Sequence, residues 1–180
     1  ALRNRLQVTQ QCRPEDLDAV RARYANHDIP AELATYFEDM SARLADAHLF
    51  IGRAGASTIA ELTAVGRPAI LVPLPIATDD HQAANTREVV KAGGARSIRQ
   101  AGFTAKELAK QIAAMAQRPE TLANAAHAAW NCGYPKAASD LADLVEKALQ
   151  LKNLLAFAPR KYDSSVIEAM AMAIASITEE

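Results

Sequence analysis

His48-Leu-Phe-Ile-Gly-Arg-Ala-Gly-Ala-Ser-Thr58 and Pro68-Ala-Ile-Leu-Val-Pro-Leu74 decide the fold. The first stretch opens as a short apolar run, His48–Gly52, and then breaks into small residues. The second is the clearest apolar run in the chain. Runs of this kind, without polar alternation, read as strands buried on both faces. Between them residues 56–65 read as a helix with Ile59 and Leu62 turned inward. Strand, helix, strand in that order is the repeating unit of a parallel sheet.

The same alternation continues on either side. Leu6-Gln-Val-Thr-Gln-Gln11 alternates with period two, as a half-buried strand does. Arg13-Pro-Glu-Asp16 follows, with Pro14 fit for a first helical turn and Leu17, Val20 and Tyr24 at helical spacing. A further strand lies within Ala31–Phe37, and a short helix runs through Met40 and Leu44. Past Leu74, a helix spans about His81 to Lys91 and stops at Gly93-Gly94, and Ala95–Ile98 is the last strand. Five strands with intervening helices predict an α/β fold built on a doubly wound, Rossmann-like parallel sheet.

Helices then take over. Thr104-x-x-Glu107 is a capping box ahead of Leu108, Ile112 and Met115. Pro119 ends that helix, residues 120–131 form the next, and Pro135 opens a third with Leu141, Leu144, Val145 and Leu149 as its stripe. Residues 1–150 therefore read as one α/β domain. Residues 151–180 read as a helical extension of no assigned role, in which Pro159-Arg-Lys-Tyr-Asp163 breaks the pattern before Val166–Ala175 resumes it. The opening Ala1, with no initiator Met and a strand almost at once, reads as a cut through a longer protein.

Composition narrows the classes. Of 180 residues 50% are apolar, but 40 are alanine and only 5% are aromatic, so the core must come from aliphatic side chains packed as helices on a sheet. Lys plus Arg number 20 against 21 Asp plus Glu. That balance leaves no electrostatic footprint for nucleic acid. No apolar run approaches the 18 or so residues of a membrane span, and the start lacks the shape of a signal peptide. Cys12 and Cys132, without CxxC spacing, argue for a reduced, cytoplasmic setting rather than a disulfide scaffold.

In open α/β sheets ligands bind beyond the carboxyl ends of the strands, and the unusual residues fall there. Gly52-Arg-Ala-Gly-Ala-Ser-Thr58 lets backbone approach a ligand and opens a helix whose free N–H groups suit a phosphate, although a lone Gly-x-x-Gly before a helix is usually just a tight turn. Glu61, one turn further, has the place of a carboxylate bridging two ribose hydroxyls, or of a solvent-facing helix residue. Gln82 and Asn85, three apart, share a helical face and suit sugar hydroxyls. Phe37-Glu-Asp-Met40 offers backbone groups to a base edge. Asp79, Asp80 and His81 suggest a metal, but three adjacent side chains cannot converge on one ion, so none is expected. Ser57 lacks the context of a catalytic nucleophile.

Taken together, Arg53-Ala-Gly-Ala-Ser-Thr-Ile-Ala-Glu61, Gly66-Arg-Pro-Ala-Ile-Leu-Val-Pro-Leu-Pro75 and Asp80-His-Gln-Ala-Ala-Asn85 resemble the carboxyl-terminal half of the MurG family. These are the UDP-N-acetylglucosamine:undecaprenyl-diphospho-muramoylpentapeptide N-acetylglucosaminyltransferases of peptidoglycan synthesis. Val8-Thr-Gln-Gln-Cys-Arg-Pro-Glu-Asp16 fits as well, and the resemblance runs from about residue 2 to 149. It implies a GT-B glycosyltransferase of two Rossmann-like domains, the carboxyl-terminal one holding UDP-GlcNAc. Phe37 and neighbouring backbone would meet the uracil, and Gly55, Ala56, Ser57 and Thr58, with Arg53 just before them, the diphosphate. Glu61 would hold the ribose, and His81, Gln82 and Asn85 would face the GlcNAc.

The resemblance further implies no cofactor or metal, and no catalytic residue in this half. The catalytic base, the lipid I acceptor site and a peripheral contact with the cytoplasmic face of the inner membrane would belong to an amino-terminal domain. The runner-up reading is a non-catalytic UDP-sugar-binding subunit of a split, two-chain transferase.

Overall fold

The computed structural model describes residues 5–75, 81–116 and 118–157. The elements are β1 (Val8–Gln11), α1 (Leu17–Ala25), β2 (Ala31–Ala34), α2 (Met40–Asp46), β3 (Phe50–Gly52), α3 (Ala56–Ala64), β4 (Ala69–Leu71), α4 (His81–Lys91), β5 (Ala95–Ser97), α5 (Ala105–Ala116), α6 (Pro119–Asn131) and α7 (Ala137–Phe157), with 3-10 turns at Pro14–Asp16 and Gln100–Gly102. The chain divides into two compact units after Tyr134.

Every strand pairing in the first unit is parallel, as the alternation predicts. The ladder is not one continuous sheet, however. Among the described residues β1 pairs with β2 alone, and β3-β4-β5 form a separate sheet in that order. The strands are three or four residues long, so each ladder is a short stack of hydrogen bonds. β4 is wholly buried, and its pleat sends successive side chains to opposite faces. Ala69 and Leu71 pack with Leu44, Leu62, Val89 and Ala129 from α2, α3, α4 and α6. Ile70 packs with Ile98, Met115 and Ala125, flanked by Leu108, Ile112 and Leu122 of α5 and α6. Helices thus cover both faces of the three-stranded sheet, the doubly wound arrangement.

Local chemistry sets the element ends. Pro14 begins a 3-10 turn that leads into α1, and Pro119 sits in the first turn of α6. The Thr104 hydroxyl accepts the Glu107 N–H at 3.2 Å, one half of the expected capping box. The other half is absent because the Glu107 carboxylate accepts from Gln111 Nε2 at 2.6 Å instead. α4 closes at Gly93, whose φ of 88° is cheap only for glycine. The next residue, Gly94, is held so close to α6 that a Cβ there would stand 2.6 Å from the Ala129 nitrogen. Arg67 finishes α2, donating from Nε to the Leu44 carbonyl and from Nη2 to that of Ala45.

The second unit is described only as α7. Leu141, Leu144, Val145 and Leu149 lie along it and are exposed. α7 runs unbroken past residue 150, so a boundary drawn there falls inside a helix. The helix read over Val166–Ala175 lies outside the described residues, as do Asp79 and Asp80. Among the described residues no helix is long and apolar enough to cross a membrane.

Candidate functional site

Parallel strands deliver their strand-to-helix loops to one edge of a sheet, so the loops after β3, β4 and β5 are neighbours. β3 ends at Gly52, and Arg53-Ala54-Gly55 lead directly into α3. Gly55 is the N-cap residue, with φ −63° and ψ 151°, and no side chain caps the helix. Ala56 and Ser57 are exposed in the first turn and Thr58 is half-buried. A Cβ built on Gly55 would touch the Thr58 hydroxyl oxygen at 3.6 Å, so hydroxyl and helix start stand together. The first N–H groups of a helix lack intrahelical acceptors and carry its positive dipole end. An exposed start with no side-chain oxygen competing for them suits an anionic group.

This loop is held by α4. Ala54 is fully buried; its N–H donates to Gln82 Oε1 at 3.3 Å and its carbonyl accepts from Asn85 Nδ2 at 3.2 Å. Gln82 Oε1 also accepts the Leu74 N–H at 2.9 Å. The two amides do share a helix face, but here they latch the loops after β3 and β4 together. With Oε1 taken twice, Gln82 has its Nε2 donors to offer a ligand. His81 begins the same helix and is exposed.

Arg53 turns along the sheet edge. Its Nη1 donates to the Val72 carbonyl at 3.2 Å and to Gln100 Oε1 at 2.5 Å. It forms one wall of a hollow of about 240 Å³ shared with Ile51, Gly52, Val72, Gln100 and Phe103. Glu61 is exposed on α3, one turn past the helix start.

Phe37 lies in the loop between β2 and α2, and its side chain is buried, 7% exposed. The Arg43 guanidinium covers it, 4.1 Å from the ring centroid. Arg43 also donates from Nε to Asp39 at 2.6 Å, and from Nη1 and Nη2 to the two oxygens of Glu32 at 2.8 and 2.9 Å. These hydrogen bonds hold both carboxyls below the usual carboxylate range. Arg43 and Gln100 are not among the residues the sequence singles out. The Asp39–Arg43 spacing of four was a legible signal; the Glu32 and Gln100 contacts, from distant parts of the chain, were not.

Among the described residues no group of three or more His, Cys, Asp or Glu side chains is placed to hold a metal ion. The site thus consists of an open helix start, amides of α4 that brace it, and a carboxylate of α3 one turn along, all at a parallel sheet's carboxyl edge. Residues 1–148 match the glycosyltransferase family 28 C-terminal domain, and the chain belongs to that family.

Its relatives carry a specific name. The chain is 86% identical over 146 residues to the UDP-N-acetylglucosamine--N-acetylmuramyl-(pentapeptide) pyrophosphoryl-undecaprenol N-acetylglucosamine transferase of Novosphingobium aromaticivorans, covering 81% of this chain and 38% of that protein. The protein of the same name from Zymomonas mobilis is 61% identical, with the same coverage. The crystal structure of Acinetobacter baumannii MurG superposes with a TM-score of 0.71 at 33% identity, covering 79% of this chain and 41% of that one. The glycosyltransferase VinC, at 16% identity and a TM-score of 0.57 over 78% of this chain and 34% of its own, shares the fold. The chain therefore spans well under half the length of the curated relatives it matches.

Proposed function

We propose that this chain is the donor-binding part of an inverting N-acetylglucosaminyltransferase of peptidoglycan synthesis. The whole protein passes GlcNAc from UDP-GlcNAc to the C4 hydroxyl of the muramoyl unit of lipid I, giving lipid II. One observation carries the reading: an uncapped helix start at Ala56, braced by Gln82 and Asn85, in a chain 86% identical to a relative named for this transfer. The base end of the donor lies against the loop around Phe37, the diphosphate against Gly55–Thr58 with Arg53 beside it, and the ribose against Glu61. The GlcNAc faces His81, Gln82 and Asn85.

The chemistry follows from that placement. The acceptor hydroxyl oxygen bonds to the anomeric carbon as the bond from that carbon to the UDP oxygen breaks, and inversion requires the two to be in line. The hydroxyl proton goes to a base outside residues 1–180. Negative charge grows on the departing diphosphate, where the N–H groups of Ala56–Thr58 and the α3 dipole are already aimed. A metal ion is not needed for that stabilisation. Acceptor binding and a peripheral contact with the cytoplasmic face of the inner membrane belong to the part of the relatives that this chain does not match.

Calorimetric titration with UDP and UDP-GlcNAc, with and without a chelator, tests the reading. The chain is expected to bind both weakly, because a site open to water is weaker than one closed between two domains. The chelator should change nothing. A strict requirement for Mg²⁺ or Mn²⁺ overturns the metal-free mechanism, and absence of binding overturns the donor role.

A further inference from the structure

We propose that Arg43 is a positioning residue: it sets the backbone of the β2–α2 loop so that the loop can select the base of the donor. The proposal rests on the donor-binding reading above. Residues 35–39 belong to neither β2 nor α2, so the loop depends on other anchors for its shape. Side chains supply most of them. Gln11 Nε2 donates to the Thr35 carbonyl at 3.0 Å at one end. At the other, Arg43 grips Asp39 through Nε and reaches back to Glu32 on β2 through both terminal nitrogens. Its flat face closes over the Phe37 ring at 4.1 Å.

A lone exposed ion pair of this kind contributes little. Arg43 differs because one planar group joins a strand, a loop and a helix, with its side chain only 26% exposed. Two carboxylates and a buried ring fix the guanidinium on three sides, which a flexible ammonium cannot reproduce. Between the anchored Phe37 and Asp39 the backbone is held, while Tyr36 at 71% and Glu38 stay exposed on the outside. A base edge is read by N–H and C=O groups only if they are already in place, since ordering them on binding costs affinity. The diphosphate, by contrast, meets α3, whereas the hydrogen bonds and ring contact of Arg43 go to Glu32, Asp39 and Phe37. Losing Arg43 should therefore erode choice of base rather than phosphate binding.

The test compares UDP and ADP by calorimetry for the full chain, as wild type, Arg43→Gln and Arg43→Lys, with hydrogen exchange followed over residues 35–39 and 53–58. Expected are a roughly tenfold loss of UDP affinity in both variants, about 1.4 kcal/mol, and unchanged ADP affinity. Exchange should speed up over 35–39 alone. Glu32→Ala, which removes only the forked contact, should shift the UDP preference the same way by less, and serves if the Arg43 variants do not fold. A wild type that prefers UDP, with variants that keep the full preference, overturns the positioning role and leaves the donor reading intact. Equal losses for UDP and ADP also overturn it, as the mark of a general structural effect. A wild type that binds neither nucleotide, or both alike, overturns the donor reading and this proposal with it.

Discussion

Glu61 and Gln82 both border the α3 start, yet they differ in what their removal should do. Glu61 is exposed. If its carboxylate accepts from both ribose hydroxyls, Glu61→Ala removes two charge-assisted hydrogen bonds of roughly 1.5–3 kcal/mol each. Water entering the gap offsets part of that, leaving a loss of about 1.5–3 kcal/mol, or roughly 10- to 150-fold in UDP affinity. Stability should hold, because alanine is a strong helix former and little packing is lost. Titration with UDP and a melting curve for each form check this; equal affinities remove Glu61 from the site. Gln82→Ala should do the reverse in part. It strips the acceptor from the Ala54 and Leu74 N–H groups, and Ala54 is fully buried, so unfolding should become easier by about 1–3 kcal/mol. Denaturant melts of wild type and variant measure it, and a change within about 0.5 kcal/mol would mark Gln82 as a surface residue instead.

At the level of elements, the short turn from α4 to β5 shows how a glycine can be read correctly and for too little. Gly93-Gly94 stops the helix as expected, and Gly93 with its φ of 88° accounts for that. Gly94 has a second role, because α6 crosses over it with backbone at 2.6 and 2.7 Å from a would-be Cβ. Neither atom can rotate away. Gly94→Ala should therefore displace α6 and cost about 1–3 kcal/mol, as overpacking does, whereas an unconstrained turn glycine would tolerate alanine. Chemical denaturation of the variant checks it. The alternation of strands and helices was legible because buried strands and amphipathic helices impose different periods. The capping box was half legible: Thr104 caps, while Glu107 found Gln111 one turn on. Nothing local says which of two nearby partners a flexible carboxylate takes.

For the molecule as a whole, residues 1–180 alone are expected to show no lipid II formation from lipid I and UDP-GlcNAc. No residue on the loops of the β3-β4-β5 sheet edge is placed in the proposed chemistry as a base for the acceptor. Purified chain assayed with both substrates tests this, and turnover by the chain alone would refute it. Activity restored by adding the remaining part of a relative would support the division of labour proposed above.

Residue order alone carried the α/β class, the parallel sense of the strands and the bounds of α4, because each rests on near neighbours in the chain. The Ala69–Leu71 run buries, whereas β3 of the first apolar run leaves Ile51 exposed; glycines end helices, and Gln82 and Asn85 share a face by spacing. Folding settled what those residues hold. Gln82 and Asn85 clasp Ala54 from 28 and 31 positions away. Arg53 reaches Gln100 across 47. Arg43 closes on Glu32, 11 residues back on another element. The division of five strands into two sheets likewise depends on which backbone groups meet in space. Hydrogen bonds and ion pairs act over a few ångströms, and only the folded path of the chain sets which distant groups come within that reach.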